Sequence, residues 1–328
     1  QTHSGLVPVL GDGSYEWDGY LPIREKPHVV NPSEGFFASA NQNVTPSSYK
    51  HWNAIGFSWS DPYRGDRVNS ELSNEPRNKF TMQDMMDLQV DYHSLPSEKL
   101  IKMIDQTLLD PSHKKYFDRL LTWNNTLTTT SVEATIYVNW ERRIIREFHE
   151  IYIPKNVKGL LNIQLFKIIE RINTLPSKER NEFLKNTFIT SNNELQSKFG
   201  TDTSNWLYGQ NDYKHIKIKH PLEHIVNDSI YELVSFKTYP RGGNAYTPGS
   251  SGSNLLQSSG ASFRVVIDTK DWDNSVATNS PGQSGNPNSN FYRNLYEDWA
   301  NDRFFELYYS KEKIKSNLHS KEVFYPKK

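Results

Sequence analysis

Between residues 81 and 199, apolar side chains return every three or four positions, and prolines at 96, 111, 154 and 176 cut the run into pieces. That period marks amphipathic helices, and proline punctuates them because it lacks a donor N–H and fixes φ. Thr81-Met82-Gln83-Asp84 reads as a capping box, with Met82, Met85, Met86 and Val90 near one face of the helix it opens. Pro96-Ser97 opens a stretch to Leu109 striped by Leu100, Ile101 and Ile104; segments 113–123, 131–153 and 159–174 repeat the pattern. Residues 177–199 predict two shorter, polar helices. So long a helical interval is the middle of a β, helical, β order.

The flanks read differently. Residues 1–70 carry Gly11-Asp12-Gly13, Asp18-Gly19, Asn31-Pro32 and Asp61-Pro62 between short apolar pieces, which predicts short strands and long connections. After Ser229, Tyr231–Phe236 and Ser262–Asp268 read as strands separated by a Gly/Ser/Asn loop at 241–260. A second loop at 279–290 precedes an amphipathic helix near 290–303 and a strand near 304–309. The alternating stretch Lys214–Lys219 reads as the wet face of a strand. The order is α+β: a β-rich core segment at 1–80, a mainly helical excursion at 81–228, and a β return with a C-terminal helix at 229–328. At about 150 residues per domain the length alone would give roughly two domains.

Composition narrows the function classes. Lys and Arg number 38, as do Asp and Glu, so no net field recruits nucleic acid or an anionic membrane, and neither is expected as a partner. The 8 Trp, 18 Tyr and 16 Phe supply a sizeable core and exclude a disordered chain. Cysteine is absent, which removes thiolate metal sites and thiol nucleophiles and is compatible with any redox compartment. No run of 18 apolar residues exists to span a bilayer as a helix. Gln1-Thr2-His3-Ser4-Gly5 has neither an initiator Met nor signal-peptide character, so a processed piece of a longer protein is expected.

Short motifs give little by themselves. His220-Pro221-Leu222-Glu223-His224 spells a zinc-helix pattern, but Pro221 biases His220 toward extended geometry and no third ligand follows. Gly282-Gln283-Ser284-Gly285 lacks the spacing of a nucleophile elbow, and Arg241-Gly242-Gly243-Asn244 lacks the Lys of a phosphate loop. Asp271 and Asp273 flank Trp272 and read as a solvated strand end, with nothing to separate their pKa values. Three Asn-x-Ser/Thr triplets, at Asn43, Asn124 and Asn227, are of a frequency expected in an Asn-rich chain.

An ordered set of segments is more specific. Leu6-Val7-Pro8-Val9, Tyr15–Pro22, Asn31–Asn43 with its core Gly35-Phe36-Phe37-Ala38-Ser39-Ala40-Asn41, Tyr63–Val68 and Phe80–Asp84 with Gln89-Val90-Asp91 come first. His220-Pro221-Leu222, Arg241–Asn244 and Gly282–Gly285 follow far downstream. Together they resemble the later part of the β chain of the penicillin acylase family of N-terminal-nucleophile hydrolases, over nearly the whole chain and most weakly at 95–200. The resemblance implies part of an αββα sandwich with a helical excursion. It also implies hydrolysis of a linear amide by an N-terminal Ser whose α-amino group is its own base. Asn41 then corresponds to the oxyanion-hole Asn, and Arg67 to the Arg beside it, with Arg64 the neighbouring competitor.

The family Ser lies upstream of this sequence; Gln1 cannot act as that nucleophile, and Ser4 and Ser14 lie in no matching context. This chain alone is therefore expected to be inactive, with the α chain and the N-terminal part of the β chain as partners and a small-molecule amide as substrate. Some family members carry calcium. Asn53 stands where those have a carboxylate, so calcium is a candidate ion whose other ligands would lie upstream. The acyl pocket is also built largely upstream, so the resemblance leaves the acyl group open among family substrates. The resemblance further implies a periplasmic or extracellular location. A rival from another class is a non-catalytic module whose exposed aromatics bind carbohydrate or protein.

Overall fold

Several helices start where a side chain satisfies their orphan N–H groups. In a computed structural model of the chain, residues 8–17, 19–74, 80–159, 163–252 and 254–326 are described; Gln1, Ser4, Leu6, Val7 and Asp18 fall outside them, as does the Asn53 side chain. α1 runs from Tyr63 to Leu72, and α2, Met82–Gln89, begins at the expected capping box of Thr81 and Asp84. α3 is Leu95–Met103, capped by Ser94, and α4 is Pro111–Leu121, where the Asp110 carboxylate accepts from the Ser112 and His113 amides. α5, Val132–Tyr152, starts at Ser131, whose hydroxyl accepts from the Ala134 amide at 3.0 Å. α6 is Leu165–Asn173 and α7 is Ser177–Phe199.

α7 is one helix of 23 residues where two were expected. Its buried stripe includes Thr187, Ser191 and Asn192, whose side chains donate back to the helix's own carbonyls at Phe183, Leu184 and Phe188. Polar residues satisfied in this way can line a core without breaking the helix. α7 lies along α5, and Trp140 seals that contact edge-on to Phe188 while its indole N–H donates to Thr187. Tyr116 and Trp206 stack beside it, and one continuous apolar cluster reaches from Tyr63 to Tyr213.

After the helical body come two small sheets. β1 (His215–Ile216) pairs antiparallel with β2 (Tyr239–Pro240) and parallel with β3 (Leu256–Gln257). Between β1 and β2 lies α8, Asp228–Val234, where a strand was expected. The Asn227 side chain accepts at Oδ1 from the Ile230 amide, and this N-cap wins over the strand propensity of Ile230, Tyr231 and Val234. β4 (Arg264–Val266), β5 (Val276–Thr278) and β6 (Phe305–Glu306) form an antiparallel meander. α9 covers only Tyr296–Ala300 rather than the longer helix expected, because the Phe291 carbonyl is taken by the Gln283 and Ser284 amides. α10, Lys311–Ser316, follows.

The mixture of helices and small sheets agrees with α+β. The expectation of strands in the first 80 residues is not met: among the described residues up to Phe80 there is no strand, and α1 occupies 63–72. No strand of the described chain pairs with that segment, so its backbone polar groups find turns and solvent instead.

Candidate active site

Asn41 sits in a turn that the chain fixes from three sides. Its backbone is left-handed at φ 68°, a conformation Asn tolerates, and its carbonyl accepts from the Ser60 amide at 3.0 Å. The Gln42 side chain folds back to accept from the Ala40 amide at 2.6 Å. Gly65, in the first turn of α1, lies directly over Gln42; a Cβ there would sit 2.2 Å from the Gln42 amide carbon, so only glycine lets the helix approach this closely.

That approach brings Arg64 to Asn41. The Arg64 guanidinium donates from Nη2 to Asn41 Oδ1 at 2.9 Å. Arg67, three residues on, is turned elsewhere: its Nε donates to Asp91 at 2.7 Å and its Nη1 to Glu71 at 2.6 Å. The structure thus joins Asn41 to Arg64 and ties Arg67 to the end of α2. Burial pulls the Arg64 guanidinium below its ordinary pKa, yet arginine starts so high that it remains a cation.

Asn41 and Arg64 edge an open cleft of about 1360 Å³. Its walls are the 57–64 turn, the face of α5 carrying Glu141, Arg142, Ile145 and His149, the start of α6, and the segment around Asn244–Tyr246. The 57–64 turn is stitched to α6 by Gln164, which donates to the Trp59 carbonyl at 2.6 Å, and by Asp61, which accepts from the Phe166 amide at 3.0 Å. Burial raises the Asp61 carboxyl above the usual range despite those bonds.

The Gly242–Gly243 pair lies flat on the Tyr92 ring, where a Cβ on either would come within 2.6 Å of ring carbons. Gly243 is left-handed at φ 68°, and its carbonyl accepts from Tyr208 at 2.8 Å. The motif is a packing device that carries Asn244 to the cleft wall, consistent with its lacking phosphate-loop chemistry.

The other sequence candidates stay apart from the cleft. His220, Glu223 and His224 lie on a turn rather than on a helix, and the Leu222 amide donates to His220 Nδ1. Asp271 accepts from the Asp273 amide, while Asp273 accepts from the Tyr309 and Ser310 amides; hydrogen bonds to Ser310 hold its carboxyl below the usual range. Asp271 is thus a local cap, and Asp273 ties its turn to the start of α10. Among the described residues no group of three or more His, Asp or Glu is placed to hold a metal ion, and no helix is long and apolar enough to cross a membrane.

Two cleft residues escaped the sequence reading. Glu141 is a lone charge four residues after Tyr137 on an otherwise apolar stripe, and that isolation is a usable signal. Lys214, expected on a wet face, is 1 % exposed. Nothing in its local sequence marks it, because the carbonyls that surround it come from Ser251, Gly252 and Asn254.

Comparison with known proteins agrees with the resemblance. The chain is 25% identical over 342 aligned positions to an acyl-homoserine lactone acylase, QuiP, of Pseudomonas putida, covering 92% of this chain and 41% of that protein. A penicillin G acylase of Escherichia coli is 32% identical over 75 residues, 23% of this chain and 9% of its own. Among solved structures, a thermostable penicillin G acylase from Alcaligenes faecalis superposes with a TM-score of 0.67 at 15% identity, over 98% of this chain and 62% of that one. The chain therefore spans about two-fifths of the length of its full-length curated relatives and shares the penicillin G acylase fold. The family model for penicillin amidase matches residues 1–316, and so the chain belongs to the penicillin amidase family.

Proposed function

We propose that the complete protein hydrolyses a linear amide in an N-acyl compound, that this chain supplies its oxyanion donor, and that an N-terminal Ser outside this sequence supplies the nucleophile. The two small sheets would then belong to an αββα sandwich completed by the other segments. In this reading the Ser hydroxyl adds to the amide carbonyl as its proton passes to the Ser α-amino group. Negative charge collects on the carbonyl oxygen, and Asn41 donates to it from Nδ2. The C–N bond breaks as the leaving amine takes the proton, and water then cleaves the acyl ester. Without the Ser, residues 1–328 would hold the donor and be inactive. Export to the periplasm or exterior fits the same reading, and calcium enters none of these steps.

The observation that carries the proposal is the Asn41–Arg64 pair at the cleft edge. With Oδ1 engaged by a guanidinium at 2.9 Å, the amide is held in one orientation. Its NH2 then meets no acceptor among the described residues and is available to an oxyanion. We assign Arg64 to steady Asn41 and Arg67 to anchor α1 through Asp91. Asn41→Ala in the full-length protein should lower amide hydrolysis about 10²–10³-fold, the usual cost of one oxyanion donor, with folding retained by circular dichroism. Undiminished turnover would remove Asn41 from the mechanism.

A further inference from the structure

Two buried ionisable side chains line the cleft, and the mechanism above uses neither. Glu141 on α5 is 3 % exposed; its carboxylate accepts from the Tyr137 hydroxyl at 2.5 Å and from Asn244 Nδ2 at 3.0 Å. Lys214, just before β1, donates from Nζ to the Ser251 carbonyl at 2.7 Å and the Asn254 carbonyl at 2.8 Å, with the Gly252 carbonyl at 3.4 Å. The two therefore hold opposite ends of one segment. Between its ends, Asn244 accepts from the Tyr246 amide at 2.9 Å, and Thr247 closes the turn by accepting from the Asn244 amide. Asn244, Ala245, Tyr246, Gly252 and Asn254 all face the cleft that Asn41 edges.

We propose that Glu141 and Lys214 are positioning residues that clamp Asn244–Gly252 and Asn254 as a wall of the substrate cleft, so that they govern substrate fit rather than the chemical step. The proposal rests on the amide-hydrolase reading for its substrate and on hydrogen bonds alone for its clamp. Each grip is strongest in one protonation state. A carboxylate accepts from both Tyr137 and Asn244 in charge-assisted bonds, whereas a carboxylic acid accepts more weakly and turns one oxygen into a donor. An ammonium has three protons for three carbonyls, and a neutral amine has two.

Burial pushes the Glu141 carboxyl up to about 7, with Asp61 adding to the rise while Tyr137, Asn244 and Arg142 oppose it. Tyr63, Tyr208, Tyr213 and Tyr246 also face this carboxylate, and its charge raises theirs in turn. Burial, followed by the charges of Arg241 and Arg142, brings the Lys214 ammonium down to about 7. The clamp accordingly weakens as Glu141 gains its proton on the acid side and as Lys214 loses one on the alkaline side.

The test measures KM and kcat of the full-length protein on an N-acyl amide, together with hydrogen exchange of the amides at 244–252, for wild type, Glu141→Gln and Lys214→Met. The expected result is faster exchange in that segment with α5 and α7 unchanged, a KM raised about tenfold in Lys214→Met and less in Glu141→Gln, and kcat within about twofold. Wild-type KM should pass through a minimum near neutral pH, a reading that needs no substitution. Unchanged exchange in both variants overturns the clamp. A loosened segment with unchanged KM, or a wild-type KM flat from about pH 5.5 to 8.5, overturns its role in substrate fit. A full-length protein that cleaves no amide sinks the amide-hydrolase reading instead, and the exchange result then decides the clamp by itself.

Discussion

The helical body and the C-terminal sheet region are held together by different physics. In the body, α3 to α7 close over Leu100, Phe117, Tyr137, Trp140, Ile144, Leu184 and Phe188, all at most 1 % exposed. In the sheet region the apolar cluster is Ile216, Phe236, Tyr292, Tyr296, Trp299 and Ala300, and an ion cluster helps to bind it to the rest. Asp302 stands at the centre of that junction, accepting from Arg241 at 2.7 Å and, in very short contacts, from Arg264 and the Tyr92 hydroxyl. Arg241 and Arg264 also reach the Ala300 and Trp299 carbonyls. Apolar burial is non-directional and accumulates with area, whereas a buried ion cluster holds only while every member is present. The body should therefore lose stability by degrees, and the sheet region should come loose as a unit.

The largest expected effect is on the body. Trp140→Ala removes a fully buried indole and the donor to Thr187, and should cost about 3–5 kcal/mol in denaturant unfolding. A loss below about 1 kcal/mol would mean that α5 and α7 are not held by this contact. Asp302→Asn comes next. It leaves two guanidiniums, on residues 4 % and 7 % exposed, without their counter-charge, at a cost of about 3 kcal/mol. Hydrogen exchange should rise across 264–278 and 296–306 while α5 and α7 keep their protection. Equal loss of protection in α5 and α7 would break the distinction between the two regions.

The same contrast explains what could be read from the sequence. The body's helices are coded locally: Ser94 before Leu95, Asp110 before Pro111 and Ser131 before Val132 each mark a start within four residues. Even there the polar sequence of α7 predicts two helices where one forms, because Thr187, Ser191 and Asn192 bond to their own helix and only tertiary packing makes them core. In the sheet region the deciding contacts are long-range. Lys214 is buried by carbonyls 37 and 40 residues away, and the Arg264–Asp302 contact spans 38. The site shows both cases. Asn41 is a candidate on an ordered family motif alone, while which arginine meets it depends on where Gly65 lets α1 settle on Gln42.

The smallest effect tests where α2 belongs. By sequence it opens the helical excursion, yet none of its residues is fully buried; just past its end Asp91 meets Arg67, and from the helix itself Gln89 donates to the Val265 carbonyl at 2.6 Å. It therefore behaves as a member of the sheet region, held by hydrogen bonds rather than by the apolar core. At its start the Thr81 hydroxyl accepts from the Asp84 amide at 3.2 Å, and the Asp84 carboxylate accepts from the Thr81 amide at 3.0 Å. Thr81→Ala removes the first of these and should cost about 1 kcal/mol, whereas Thr81→Ser should be close to neutral. Exchange should rise at 82–86 and, through Gln89, at 264–266, with α3 and α5 unmoved. Acceleration in α3 and α5 instead would return α2 to the helical body and shift the boundary between the two regions to the start of the capping box.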